Sequence, residues 1–269
     1  MIIIGEKING AIPAVGKAIA ERDEEVIRSR VRLQAAAGAD FIDCAASCDT
    51  ELEYDAMCWL LEIIQQETDI PVCIDSPDAD LLARLINEGR VQRPGMVNSV
   101  SMEGGKCDKL MPLIAGTDWN VIGLTCDEGG IPAEPEKRVE IAKRIIDKAD
   151  EYGVARSNLH IDPCVMSLAV APTSQSDFVY CVNAIHEYAP EVKVTGAISN
   201  VSYGMPARKY VNMSFMTACV QAGLDSGIMD PTSENMMGIM FASGALCGQD
   251  KGGRKYNRAY RKGIFGAKK

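Results

Sequence analysis

Polar side chains recur at the ends of short apolar runs along this chain. Glu6 and Asn9 follow the first run, Asp43 ends the second, and Asp75 closes Cys73-Ile74-Asp75-Ser76. Asn98 and Ser99 lie within Val97–Ser101, Asp162 ends His160-Ile161-Asp162-Pro163, Asn200 stands in Ile198–Gly204, and Asp230 ends Ile228-Met229-Asp230-Pro231. Carboxylates accept hydrogen bonds, while amide side chains both donate and accept. Carboxylates and amides gathered in one ring would therefore frame a flat heterocycle with an amino-pyrimidinone edge. Its 2-amino group and ring N–H give to the carboxylates, and its carbonyl and remaining nitrogens meet the amides. A pterin presents that edge.

Each position also admits a plainer reading. Asp75, just before Ser76-Pro77, could cap the following helix, and Asp230 before Pro231 reads first as a cap or turn residue, since proline favours the first helical position. Asn98 sits inside an apolar strand with no helix start beside it, so capping explains it poorly. His160 and His186 are the only histidines, which rules out a histidine-rich metal site. Asp75 and Asp162 could hold Mg²⁺, but no phosphate cradle accompanies them, and no metal is expected.

Such a ring requires parallel strands whose ends converge. Apolar runs rich in β-branched residues begin near Ile2, Asp40, Pro71, Met96, Trp119, Leu159, Val192 and Leu224, at a repeat of about 32 residues, the length of a βα unit. Between them, helical periodicity marks Glu24–Ala37, Glu51–Glu67, Asp78–Glu88, Pro135–Tyr152, Ser176–His186 and Ala207–Ala222, with a weaker Met- and Gly-rich Glu234–Leu246. Strand runs such as Val121-Ile122-Gly123-Leu124 are continuously apolar, the mark of a parallel sheet buried on both faces. No Gly-x-Gly-x-x-Gly follows the first strand, so eight such units point to one α/β (β/α)8 TIM barrel rather than a doubly wound dinucleotide fold. Barrel active sites sit where the strands meet the loops that follow them.

Composition narrows the class further. The 269 residues are 47% hydrophobic with a net charge of −9. Eight basic residues and no acidic one fall between Lys251 and Lys269, so the preceding body is more acidic still. An acidic body argues against nucleic-acid binding. The basic tail is read as a solvated end or one packed against its own body, and the organisation expected is a barrel over 1–250 with an extension over 251–269. Ten cysteines fit neither zinc nor thioredoxin spacing and are expected to be reduced, mostly buried thiols. No apolar run approaches the ~18 residues that a membrane span needs, and no leader is evident, so a cytoplasmic protein without membrane contact is expected.

The run from Gly196 to Arg208, with Ser199, Asn200, Ser202, Tyr203, Gly204 and Pro206, followed by Asn212 and Phe215, resembles the pterin-binding methyltransferases that move a methyl group between methyltetrahydrofolate and a corrinoid protein. These include those serving anaerobic demethylation of glycine betaine. Ile4–Asn9, Ile74–Ser76, Asn98-Ser99, Ile161–Pro163 and Ala222–Pro231 are similar to that family at the expected places. The resemblance implies a pterin-binding, dihydropteroate synthase-like barrel, usually a homodimer. Asp75, Asn98 and Asp162 would grip the pyrimidinone edge, and Asn200 would be the catalytic donor near N5. Ser202 and Arg208 would be further substrate-binding residues. Tetrahydrofolate or methyltetrahydrofolate would be the substrate, and the corrinoid (cobalamin) would come on a partner corrinoid protein, because no Asp-x-His-x-x-Gly stretch occurs here. The open barrel mouth and the basic tail are the candidate docking surfaces. Dihydropteroate synthase is the alternative, disfavoured because Asn9–Gly16 lacks Thr-x-Asp-Ser-Phe and the last strand lacks Arg-x-His. A non-catalytic pterin-binding subunit is a third reading.

Overall fold

Eight parallel strands alternate with helices in the computed structural model, which describes residues 1–266. The strands are β1 (Ile2–Asn9), β2 (Phe41–Ala45), β3 (Val72–Asp75), β4 (Met96–Val100), β5 (Asn120–Leu124), β6 (Leu159–Asp162), β7 (Lys193–Val194) and β8 (Ser226–Met229). They form one sheet in the order β7-β6-β5-β4-β3-β2-β1-β8. Main-chain bonds from Asp225 to Val194 (3.1 Å) and from Ile228 to Gly196 (3.0 Å) join the two ends, closing the (β/α)8 barrel expected from the repeat. The helices are α1 (Pro13–Glu21), α2 (Glu24–Ala36), α3 (Thr50–Glu67), α4 (Ala79–Asn87), α5 (Lys106–Ile114), α6 (Pro135–Tyr152), α7 (Ser174–Tyr188), α8 (Arg208–Ala222), α9 (Glu234–Leu246) and α10 (Arg254–Arg261).

Two apolar layers account for the continuous runs. Ile3, Ile42, Ile74, Val97, Val121 and Ile161 face outward into the core shared with the helices. Ile4, Cys73, Met96 and Ile122 face inward and are fully buried at the centre of the barrel. Side chains on a strand return to the same face every second residue. One step of two residues therefore carries Ile4 to Glu6, Phe41 to Asp43, Cys73 to Asp75, Met96 to Asn98, His160 to Asp162 and Ile228 to Asp230. The interior turns from apolar to acidic within one layer. Lower down, buried His160 is held by Ser226 Oγ (2.7 Å) and Asn120 Oδ1 (3.2 Å), and burial lowers its pKa to about 3, with the Lys193 charge adding to the effect.

Three helices carry no clear signal in the sequence. α1 begins inside the stretch read as the first loop, with Pro13 in its first turn. α5 contains Pro112 and follows Gly104 and Gly105, both of which read as breakers. α10 belongs to the basic tail. Asp250 accepts the main-chain N–H groups of Lys255 and Tyr256 (2.9 Å each), and α10 packs on α9. Beyond it, buried Phe265 sits among Phe241, Tyr256 and Tyr260, with ring centroids 5.0–6.1 Å apart. The tail thus packs against its own body, near Met1, Ile3 and Asp40 at the N-terminal ends of the strands. It lies at the opposite end from the barrel mouth, so the two surfaces named as docking candidates do not form one face. Ala267–Lys269 lie outside the described residues. Every cysteine is a free thiol, and most are buried. No helix among the described residues is long and apolar enough to cross a membrane.

Candidate active site

The acidic layer lines a cavity of about 800 Å³ at the C-terminal ends of the strands. Asp75, Asn98, Asp162, Asn200 and Arg208 all reach its wall, as the sequence predicts. Parallel pairing sets the first three. Asp75 lies opposite Asn98 in the β3–β4 register, and Leu124 lies opposite Asp162 between β5 and β6. Asp75 is no helix cap, since Asp78 accepts the N–H groups of Asp80 (2.8 Å) and Leu81 (3.2 Å) at the start of α4. Asp230 does serve its turn, accepting from the N–H (2.9 Å) and hydroxyl (2.6 Å) of Thr232, while Ser233 caps α9. Asp230 also faces the cavity and pairs with Lys7 Nζ at 3.0 Å.

Ser202 stands elsewhere. It is fully buried in the 3-10 turn Ile198–Ser202, off the cavity wall, and accepts Arg208 Nε at 2.9 Å. Arg208 also donates to the Ser199 carbonyl at 2.8 Å. The guanidinium therefore ties the start of α8 to the turn that carries Asn200. Asn200 itself is exposed at the mouth, and its carboxamide makes no hydrogen bond among the described residues.

Residues the sequence left uncommitted complete the wall. Glu6 and Asp43 project into it from β1 and β2, and Lys7, Lys209 and Asn212 line it as well. Among the described residues, buried Asp43 Oδ1 lacks a partner, and Asn212 Oδ1 is likewise buried and unpartnered. Buried acceptors without donors are costly, and a donor-bearing ligand relieves that cost. Lys7 joins the adjacent Glu6 on the wall through a register shift between Gly5 and Ile8, a rim irregularity that re-aims side chains. Buried Gln34 of α2 supports it by accepting the Lys7 N–H at 3.0 Å. It can do so because Gly5 has no side chain, where a Cβ would stand 2.5 Å from Gln34 Oε1. Glu6 and Asp43 already stand among the strand-end residues of the sequence, and period-two strand geometry turns both inward. Asn212 and Lys209 lie on a helix whose packing the sequence does not announce.

Crowded, buried carboxylates resist ionising. Burial lifts the Asp75 carboxyl to about 7, with the nearby Glu53 charge adding to it. Burial also lifts Asp162 to about 7, against the 2.8 Å bond it accepts from the Cys164 N–H. Asp43 is pushed well up by burial and then by Asp75. Glu6 is raised by burial and by Asp230, while Lys7, Ser199 and Arg208 pull the other way. Asp162 is further fixed by Arg138, a fully buried arginine of α6. It donates to the carbonyls of Pro132 (2.7 Å), Ala133 (3.0 Å), Cys164 (3.3 Å) and Pro163 (3.4 Å). Among the described residues no cluster of three or more side chains suited to a metal occurs.

A cavity of this chemistry suits a flat ligand rich in N–H donors. Among solved structures, dihydropteroate synthase from Xanthomonas albilineans in complex with 7,8-dihydropteroate superposes with a TM-score of 0.69 over 91% of this chain and 92% of that one, at 16% identity, a likeness of fold. Methylcorrinoid:tetrahydrofolate methyltransferase of Eubacterium limosum is 45% identical over 268 residues, which is 99% of this chain and 98% of that protein. Methionine synthase of Mycobacterium tuberculosis is 29% identical over 244 residues, covering 85% of this chain but 20% of that much longer protein. Residues 15–230, from α1 to the end of β8, match the pterin binding enzyme family, and the chain belongs to that family.

Proposed function

We propose that this protein is a methyltransferase moving a methyl group between N5 of methyltetrahydrofolate and the cobalt of a corrinoid carried by a partner protein. The observation that carries the reading is the cavity wall. Asp75, Asn98 and Asp162 converge from β3, β4 and β6, and the unengaged Asn200 carboxamide stands at the open end. Near-full-length similarity to a methylcorrinoid:tetrahydrofolate methyltransferase supports it. The two carboxylates accept the 2-amino and ring N–H donors of the pterin, and Asn98 meets its carbonyl side. Asn200 donates toward N5, where negative charge develops as the methyl group leaves. A preorganised donor of that kind is worth about 3–4 kcal/mol. Arg208 and Ser202 position Asn200 by tying its turn to α8.

The corrinoid is a co-substrate here, and it supplies the nucleophile for in-line substitution at the methyl carbon. The chain's own residues hold the pterin with that methyl group aligned toward the open mouth. The partner corrinoid protein docks on the mouth rather than on the tail. A homodimer in the cytoplasm, acting in either direction of transfer, completes the reading. The test is anaerobic mixing of the protein with methyltetrahydrofolate and cob(I)alamin, followed by visible spectroscopy. Growth of the methylcobalamin band supports the reading. Absence of both turnover and calorimetric folate binding overturns it.

A further inference from the structure

We propose that Glu6 holds the proton that N5 of the folate takes up as its methyl group leaves. The inference rests on the methyl-transfer reading above. The pyrimidinone edge requires two acceptors, which Asp75 and Asp162 supply, and the cavity contains more acids than that. Asp43 lies on the strand beside Asp75, on the side of the pterin grip. Glu6 lies on the other side, where its Oε2 is 3.3 Å from the Ser199 hydroxyl, the residue next to Asn200. It is thus the cavity carboxyl tied by a hydrogen bond to the turn that carries the N5 donor.

Transfer from folate requires a proton. The C–N5 bond breaks and its electron pair stays on N5, while the cobalt's electron pair forms the new bond to the methyl carbon. N5 then takes the proton from the Glu6 carboxyl, leaving a carboxylate and a neutral secondary amine. In the reverse direction the Glu6 carboxylate receives the N5 proton as the amine attacks the methyl group. The surroundings suit both states. Burial and the neighbouring acids Asp230 and Asp43 favour the neutral acid, while Lys7 and Arg208 stabilise the carboxylate it becomes. Lys7 is drawn partly away by its own pair with Asp230 at 3.0 Å, so no ion pair fixes Glu6 in the charged form. Two-residue alternation from inward-facing Ile4 aims the carboxyl into the cavity, and Gln34 holds the next residue through the Lys7 N–H.

The test is single-turnover methyl transfer from saturating methyltetrahydrofolate to cob(I)alamin between about pH 5.5 and 8.5, with Glu6→Gln and Glu6→Asp beside the wild type and folate affinity measured by calorimetry. The expected wild-type rate is level at low pH and falls above the Glu6 ionisation. Glu6→Gln should bind folate within about threefold of wild type, lose about 10²–10⁴-fold in rate and show no such bend. Glu6→Asp, which keeps an acid one methylene back, should recover part of the rate and restore a bend. Retention of the wild-type rate and profile by Glu6→Gln would overturn the assignment, as would a loss confined to folate affinity. A wild type that binds no folate and transfers no methyl group would instead sink the methyltransferase reading, and the inference with it.

Discussion

Burial of carboxylates inside the barrel sets the pH behaviour of single residues. In the proposed binding mode, Asp75 and Asp162, both lifted to about 7, ionise to accept pterin N–H donors. Below pH 7 each bound ligand must displace protons, so affinity should fall by up to about tenfold per pH unit for each group that titrates, and level off above pH 7. Calorimetry of methyltetrahydrofolate at pH 5.5 and 8 checks this, and an affinity that rises on acidification would contradict it. The same shifts act on stability with a definite sign. A carboxyl whose folded pKa lies above its unfolded value of 3.8 binds more protons folded than unfolded across that interval. Stability therefore declines as pH rises from about 4 to 7, and the full penalty persists above 7. Asp162→Asn keeps the acceptor for the Cys164 N–H and removes the charge. The variant should be more stable than wild type at pH 8 by on the order of 4 kcal/mol, with the gap narrowing to less than half of that at pH 5, and at least tenfold weaker in folate binding. Denaturant melts at the two pH values, paired with calorimetry, separate these effects.

Secondary elements hold these residues in place through a few close contacts. Gly10, just after β1, donates its N–H to Ala45 at 2.9 Å, and a Cβ there would stand 1.9 Å from the Ala46 carbonyl oxygen. Gly10→Ala must push apart the C-terminal ends of β1 and β2, which carry Glu6 and Asp43. A loss of about 1–3 kcal/mol is expected, together with weaker folate binding. Arg138 links the loop before α6 to the residues after Asp162, and Arg138→Leu would strand buried carbonyls at a cost of about 1–3 kcal/mol each. Thermal melts of both variants with and without folate give the readout. Most of these elements were legible in the sequence, since continuous apolar runs and glycine stops mark the strands and helices well. α1, α5 and α10 were not, because the stretch around Pro13, Pro112 with Gly104, and a run of basic residues give the signals of loops, and packing against α2, α4, α6 and α9 overrides them. At the site, Asp75, Asn98, Asp162 and Asn200 were legible as strand-end residues, whereas Arg208 came only through the family resemblance. The burial of Ser202 was not, because the sequence does not say which side chains of a 3-10 turn face inward.

At the scale of the whole molecule, the barrel separates chemistry from stability. The acidic cavity occupies the C-terminal face and the basic tail braces the N-terminal face. Phe265 is anchored there among three aromatic rings. Phe265→Ala should cost about 3 kcal/mol of stability yet leave folate affinity unchanged within about twofold, because the cavity lies at the far end. A parallel loss of folate affinity at a temperature where the variant stays folded would show that the two faces are coupled.

In the proposed reaction the cavity transfers a methyl group from folate N5, with Asn200 as the donor that eases its departure. The most direct measurement is the anaerobic rate of methylcobalamin formation from methyltetrahydrofolate and cob(I)alamin, wild type against Asn200→Ala, at matched folate saturation. The result expected is a methylcobalamin band in the wild type and a rate about 10²–10³-fold lower in the variant, with folate affinity little changed. An Asn200→Ala variant as fast as wild type would contradict the role of Asn200. A wild type that binds folate but methylates neither free cobalamin nor any corrinoid protein would contradict the methyltransferase itself.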